Sequence, residues 1–244
     1  LHRPLRELII TQFNSHESNS YSLFAFLIPN NPPTKSVFPM SNDSNYDISL
    51  NIRLLPEEER NGAWHMQNAV SSLGSHVLAF EAAVSLFHHC RAMKTEDYKA
   101  ERILHEWPFI AARDGAMTLW HFGKTMDIIR ASFRDLPTLR EKVDHSKLKA
   151  ARKQFHSDSP ASEQMRHAVA HSAELSANLE RFEANSFSGE FSDGCVHIEG
   201  EGVMLSNHLS NDNYTTTIDG NIVSYEGSGE SVKLLNASKD MFWE

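Results

Sequence analysis

The clearest hydrophobic pattern in this 244-residue chain lies in its first half. Apolar residues recur there at alternating spacings of four and three residues, which is the period of an α-helix with one buried face. Pro56 suits the start of such a helix. We therefore predict a long bundle helix whose buried seam contains Met66, Val70, Leu73, Val77, Phe80, Val84 and Phe87.

The next segment predicts two helices separated by a turn. Thr95 is a suitable N-cap for a short helix that ends near His105. Trp107 and Pro108 then predict a turn, because the residue before a proline disfavours the helical conformation. A long helix follows and ends near Arg134. Its predicted stripe includes small residues that permit close helix contact: Phe109, Ala112, Ala116, Leu119, Gly123 and Met126.

Two further helices are predicted between residues 138 and 182. Thr138 and Glu141 have the spacing of a capping box, which predicts the start of a basic helix that ends near residues 156–160. Ser159 is a suitable N-cap for the next helix, and Pro160 suits its first position. The buried stripe of this last helix is predicted to contain Met165, Val169, Ser172, Leu175, Leu179 and Phe182.

Beyond residue 182 the hydrophobic period changes from near four to two, which indicates strands. We predict a linker over 183–194 and a short helix over 230–241, and Asp219-Gly220-Asn221 predicts a tight hairpin turn. A meander this small is not stable alone, so we expect it to dock on the helices, cover a sheet edge or help to form a dimer. Its strands are predicted over 195–198, 203–209, 214–218 and 222–225.

The N-terminal residues 1–55 carry no sustained period and are rich in Asn, Ser and Pro. We expect a mostly disordered arm there, with a short strand or extended lead-in over 48–55. Met40 is the first methionine and is a candidate for the biological start. The expected organisation is thus an arm, a helical bundle over 56–182, the linker, and a β-meander with a helix over 195–244.

Composition indicates a globular protein, since 40% of the residues are hydrophobic. Cys90 and Cys195 cannot build a disulfide framework, which favours a reducing compartment. The apolar run 23–29 is too short to span a bilayer, and no signal-peptide pattern precedes it. We expect a cytoplasmic protein without membrane association.

Candidate chemistry is concentrated in one helical segment that contains Arg166, His167 and His171. On an ideal helix His167 and His171 lie nearly in line, one turn apart, whereas Arg166 lies roughly 140° around from His171. One helix therefore cannot direct Arg166 and His171 at one atom. A second copy about a two-fold axis can bring them together, so the motif favours a homodimer.

This Arg-polar-x3-His arrangement, late in a helical domain, resembles the motif of the HEPN superfamily, with the likeness covering about residues 57–182. The resemblance implies a mainly α fold, a four-to-five-helix HEPN-like bundle, here followed by the small β-meander and helix. It also implies a dimeric, metal-independent endoribonuclease of the toxin–antitoxin or abortive-infection type, without a cofactor. Its partners would be RNA and an antitoxin protein.

The three side chains suit that chemistry. His171 can accept the proton of an RNA 2′-hydroxyl near neutral pH, and Arg166 can stabilise charge on the phosphoryl oxygens. His167 can orient a partner, bind a phosphate or protonate the leaving oxygen. The alternatives are a structural role in a dimeric scaffold or nucleic-acid-binding module, and a zinc site through the two histidines, for which neither a Glu base nor a third ligand lies nearby.

Charge supplies further candidates. Residues 183–244 contain eleven acidic residues and two lysines, so they account for the whole net charge of −9. Arg113 and Asp114 lie in an apolar part of the long helix, where we expect an internal salt bridge or support for a catalytic histidine from Asp114. A basic segment before the motif is expected to bind RNA phosphates, unless it is a solvated helix face, through Arg140, Lys142, Lys147, Lys149, Arg152 and Lys153.

Overall fold

The computed structural model describes residues 50–243, which are mainly helical and contain two small antiparallel sheets. Most of the predicted N-terminal arm, including Met40, lies outside these residues. The described end of that arm differs from the expected strand or extended lead-in. It forms a 3₁₀ turn at Ile52–Leu54, and the Leu55 side chain is buried in the core.

Helix α1 spans Glu57–Ala92 and helix α2 spans Tyr98–Ser132. They pack side by side along most of their lengths as an antiparallel hairpin. The predicted seam of α1 is confirmed, since six of its seven residues are buried and Val70 packs against them.

The predicted turn at Pro108 is wrong, because α2 continues through this residue. Its N-cap is Asp97, whose carboxylate accepts a hydrogen bond from the Lys99 amide at 2.8 Å, rather than Thr95. The Pro108 side chain is buried on the face that packs inside the fold. This burial and the packing of the helix after the proline offset its missing N–H donor.

Helices α1 and α2 enclose the larger core together with α4, at His145–Asp158, and α8, at Gly229–Trp243. Each of these four helices packs against two of the others. The predicted bundle over 56–182 is therefore not self-contained, because its fourth wall comes from the C-terminal helix. The central side chains of this core are Leu73, Phe80, Phe122, Met126, Phe155 and Leu235.

The expected capping box at Thr138 does not open α4. The Thr138 hydroxyl instead donates to Glu59 Oε1 at 2.7 Å, and residues 137–140 form the separate short helix α3, Pro137–Arg140. Asp144 caps α4 by accepting hydrogen bonds from the Ser146 and Lys147 amides. A long-range contact to α1 has thus replaced the local cap that the spacing predicted.

The helix predicted between Ser159 and residue 182 is three short helices: α5 at Ser162–Ala170, α6 at Ser172–Leu175 and α7 at Leu179–Asn185. Ala161, which offers no side-chain oxygen, is the N-cap residue of α5. The backbone leaves the helical conformation at His171. Asn178 caps α7 by accepting a hydrogen bond from the Arg181 amide. Serine and asparagine favour such breaks because their side chains compete for backbone groups.

Five strands follow. The predicted linker over 183–194 is wrong, because it contains the end of α7 and strand β1. Asp219 and Gly220 both have positive φ, 50° and 73°, as the predicted tight hairpin turn requires. The strands are β1 Phe187–Ser192, β2 His197–Val203, β3 His208–Ser210, β4 Asn213–Ile218 and β5 Asn221–Glu226, paired as β1–β2 and β3–β4–β5.

The three-stranded sheet docks on the helices, as expected, through a second core. Strand β4 is buried from Tyr214 to its end, and Ile218 contacts this core from the strand. Helix α5 supplies Met165 and Ala168 to the same core, and α2 supplies its small residues near Ala112. The sheet and α2 therefore hold the motif helix between them.

Helix α1 is, within residues 50–243, the helix whose length and apolar composition would allow it to cross a membrane. The core helix of a soluble protein meets the same criteria. In this fold the apolar seam of α1 is covered by α2 and α8.

We predict that the close packing of α2 and α4 requires a glycine at position 123. A Cβ atom at Gly123 would lie 2.6 Å from Phe155 Cε1, so we expect Gly123→Ala to lower the free energy of unfolding by about 1–3 kcal/mol. A Cβ at Gly74 on α1 would make an ordinary 3.5 Å contact with Trp243. The matched Gly74→Ala variant should be stabilised by about 0.5–1 kcal/mol, because alanine favours the helix. Urea unfolding measures both values, and destabilisation of the two variants by the same amount would contradict the packing argument.

Candidate active site at the end of helix α5

Helix α5 is held by one buried face, and the motif residues lie outside that face. Met165 and Ala168 are 1% and 3% exposed and pack in the second core. Their burial leaves Arg166 half-buried on one side and His167 exposed at the surface. Of the predicted stripe, Met165 is thus buried and Val169 packs partly buried against the same core, whereas Ala168 is not part of the prediction.

The two histidines form an adjacent pair. The centroids of the His167 and His171 rings lie 4.7 Å apart with 36° between the ring planes. The helix ends at Ala170, but the His171 amide still donates to the His167 carbonyl at 3.0 Å. This last helical hydrogen bond keeps the two imidazoles one turn apart, close to the arrangement expected on an ideal helix.

A carboxylate that the motif did not predict holds one of these rings. His171 Nδ1 lies 3.1 Å from Glu174 Oε1. This hydrogen bond, together with the charge of the imidazole, holds the pKa of Glu174 below its ordinary value. A carboxylate at Nδ1 favours the tautomer with the proton on that nitrogen. The Nε2 atom of His171 is then left as the lone-pair acceptor, on a side chain that is 35% exposed.

Arg166 is held against an aromatic ring of α2. Its guanidinium carbon lies 4.8 Å from the centroid of the Trp120 ring, which is within cation–π range. The Trp120 indole N–H donates to Glu163 Oε2 at 3.0 Å, and Lys124 Nζ lies 3.2 Å from the same carboxylate oxygen. One carboxylate therefore fixes both the ring and a second cation beside Arg166.

The buried Nε atom of Arg166 has no hydrogen-bond partner within the described part of the chain. Stacking positions a guanidinium but does not satisfy its N–H donors. The Arg166 side chain is thus oriented by Trp120, and its unpaired Nε lies inside the protein rather than at the surface.

Arg113 and Asp114 differ from the expectation of an internal charge pair. Asp114 is exposed, so it cannot support a histidine from the interior of the bundle. Arg113 is half-buried, and its Nε donates to Asn207 Oδ1 at 3.3 Å. Neither side chain forms an ion pair within residues 50–243, and Arg113 instead ties α2 to the chain before β3.

The predicted RNA-binding residues do not share one environment. Arg152 pairs with Asp127, with Nε 2.5 Å from Oδ1 and NH2 3.4 Å from Oδ2, and Asp127 also lies 3.9 Å from Arg130, so Arg152 is held within the protein by a shared carboxylate. The others are exposed on α4 and on the segment before it. They are Arg140, Lys142, Lys147, Lys149 and Lys153.

Residues 50–243 contain no group of three His, Cys, Asp or Glu side chains arranged to hold a metal ion. Cys90 is buried and Cys195 exposed, and both are free thiols. The structure adds no third ligand to His167 and His171 within this part of the chain.

Neither a protein-family model, nor a curated protein sequence, nor a solved structure matches this chain. The fold is mainly α, and the likeness to HEPN proteins stays a hypothesis that depends on the motif alone.

Sequence reasoning missed Glu174, Glu163 and Trp120. Glu174 had a usable signal, because it lies three residues after His171 and residues at that spacing are neighbours on a helical turn. Trp120 had none, because its contact with Arg166 depends on how α2 packs against α5.

The pKa of Glu174 should report on the histidine pair. Because the hydrogen bond from His171 is the main cause of the lowered value, we expect the pKa to rise toward its ordinary range in His171→Ala. His167→Ala should raise it less, since His167 acts only through its charge. Carbon-13 NMR titration of the carboxyl group measures both changes, and equal rises in the two variants would rule out the hydrogen-bonded arrangement.

Proposed function

We propose that this protein is a metal-independent endoribonuclease, of the kind found in toxin–antitoxin and phage-defence systems, with an antitoxin protein as its regulator. The observation that carries the proposal is the adjacent pair His167 and His171, with His171 oriented by Glu174. Two imidazoles at this separation suit a reaction that removes one proton and delivers another. RNA cleavage by its own 2′-hydroxyl is such a reaction.

In the proposed reaction the Nε2 atom of His171 accepts the 2′-hydroxyl proton. The 2′-oxygen then forms a bond to phosphorus, and the bond from phosphorus to the 5′-oxygen breaks. His167 donates a proton to that leaving oxygen, so the products carry a 2′,3′-cyclic phosphate and a 5′-hydroxyl. Glu174 keeps the His171 ring in the tautomer that the first step requires.

Arg166 would stabilise the charge that develops on the non-bridging phosphoryl oxygens. Stacking on Trp120 supports this role, because a guanidinium held in place loses little freedom when it binds an anion. On an ideal helix Arg166 and His171 lie roughly 140° apart, so we propose that each site combines Arg166 from one chain with His171 from a second copy. In the cytoplasm, the exposed lysines of α4 would contact the phosphates of the RNA backbone.

The competing function is a non-catalytic scaffold or nucleic-acid-binding module of the same fold. It is favoured by one observation, that the Nε atom of Arg166 is buried, so this part of the guanidinium is not accessible to a substrate phosphate. Both functions allow RNA binding, so only cleavage separates them.

We expect His171→Ala to lower the rate of RNA cleavage by about a hundredfold or more, because it removes the proton acceptor. Arg166→Ala should lower it by a similar factor, because it removes the cation. Purified protein with end-labelled single-stranded RNA in EDTA gives the measurement.

The control for this comparison is His65→Ala, which removes an exposed imidazole from α1 and should leave cleavage unchanged. Circular dichroism should show the same helical content in all three variants. Full activity in either motif variant would exclude the assignment. A 5′-phosphate product that requires a divalent ion would instead indicate a metal-dependent site.

The composite site predicts complementation between two inactive variants. An equimolar mixture of Arg166→Ala and His171→Ala chains should recover partial cleavage, because one of the two sites in a mixed dimer regains both groups. Each variant alone, at the same total concentration, is the control. Mass measurement should give a dimer, and a monomer with full activity would disprove the shared site even if the residues are correct.

A further inference from the structure

A cleft of about 130 Å³ lies between α2, β5, α8 and the connection from α4 to α5. It is separate from the histidine pair, since neither His167 nor His171 lines it. The floor is apolar and comes from three different elements, including Leu119, Met165 and Leu235. Its walls therefore belong to the packed body of the fold and are positioned before anything binds.

A buried hydroxyl on the wall of this cleft lacks a partner. Ser238 on α8 is 1% exposed, and its Oγ forms no hydrogen bond within residues 50–243. A buried hydroxyl without a partner is costly, and such groups in folded proteins are usually satisfied by a ligand or an ordered water. Ser238 lines the cleft, so a polar group bound there can supply the missing hydrogen bond.

The charged side chains that line the cleft are acidic. Asp158 and Glu226 line it, and the lining residues within the described chain include no lysine, arginine or histidine. Asp158 accepts two hydrogen bonds from the Gln154 amide, at 2.9 and 3.0 Å, which orient its carboxylate without neutralising its charge. A cation would therefore be attracted to the cleft, and an anion would be repelled.

The size of the cleft limits its ligand. At roughly 10–15 Å³ for each water-sized group, it accepts about ten non-hydrogen atoms. We propose that this cleft binds a small organic cation, a primary ammonium on a compact apolar body. The apolar part lies on the Leu119 and Met165 floor, while the ammonium group faces the two carboxylates.

Three probes of nearly the same size and shape test this proposal by titration calorimetry on the full chain. They are phenethylamine, 2-phenylethanol and phenylacetate, which carry a positive, a neutral and a negative head group. Phenethylamine should bind, and 2-phenylethanol should bind about tenfold more weakly, since it carries no positive charge to be attracted by the carboxylates. Phenylacetate should not bind measurably. Equal affinity for the three probes, preference for phenylacetate, or no binding of phenethylamine at millimolar concentration would overturn the proposal.

Substitutions then locate the bound cation. Asp158→Asn and Glu226→Gln keep the shape of the side chains and should together lower phenethylamine affinity about tenfold, with little change for 2-phenylethanol. Glu199→Gln removes an exposed charge from β2, away from the cleft, and is the matched control. Ser238→Ala should lower the affinity of each probe that donates a hydrogen bond. Unchanged phenethylamine affinity in the double acid variant would place the amine elsewhere and disprove the site.

Discussion

The rest of this structure depends on one constraint: the small residues of helix α2 allow aromatic side chains of other elements to approach its backbone closely. Gly123 lets the Phe155 ring of α4 lie against the helix backbone, and Gly115 does the same for Tyr225 of β5. The Tyr225 hydroxyl donates to the Ala112 carbonyl, so the strand is bonded to the helix at the point of contact. One helix thereby joins a core of helices to a core that contains the sheet.

That double contact also positions the candidate site. The sheet and α2 hold α5 by its Met165 face, so the opposite residues of α5 are directed outward. The same packing brings Trp120 of α2 beneath the Arg166 guanidinium and within hydrogen-bond distance of Glu163. The position of the Arg166 side chain is thus a consequence of tertiary packing, and a short helix would not create it alone.

Local patterns predicted those parts of the molecule that local physics controls. The seam of α1, the positive-φ turn at Asp219 and Gly220, and the closeness of His167 and His171 all depend on residues a few positions apart. The errors have the opposite origin. Helix α2 continues through Pro108, whose side chain is buried, and the Thr138 hydroxyl bonds to Glu59 instead of capping a helix. Helix α8 joins the main core from the C-terminal end of the chain, and no local spacing encodes such a contact.

The contact between His171 and Glu174 is informative because it contributes little to folding. Glu174 is 71% exposed, and an ion pair between such exposed groups is screened by water and adds little stability. The buried residues of α5 and α6 already hold this segment, through Met165 and Leu175. What the carboxylate does change is the tautomer of the imidazole, because a proton held on Nδ1 leaves Nε2 as the proton acceptor. A packing role does not require that property, whereas proton transfer to His171 does, so this contact favours the enzyme over the scaffold.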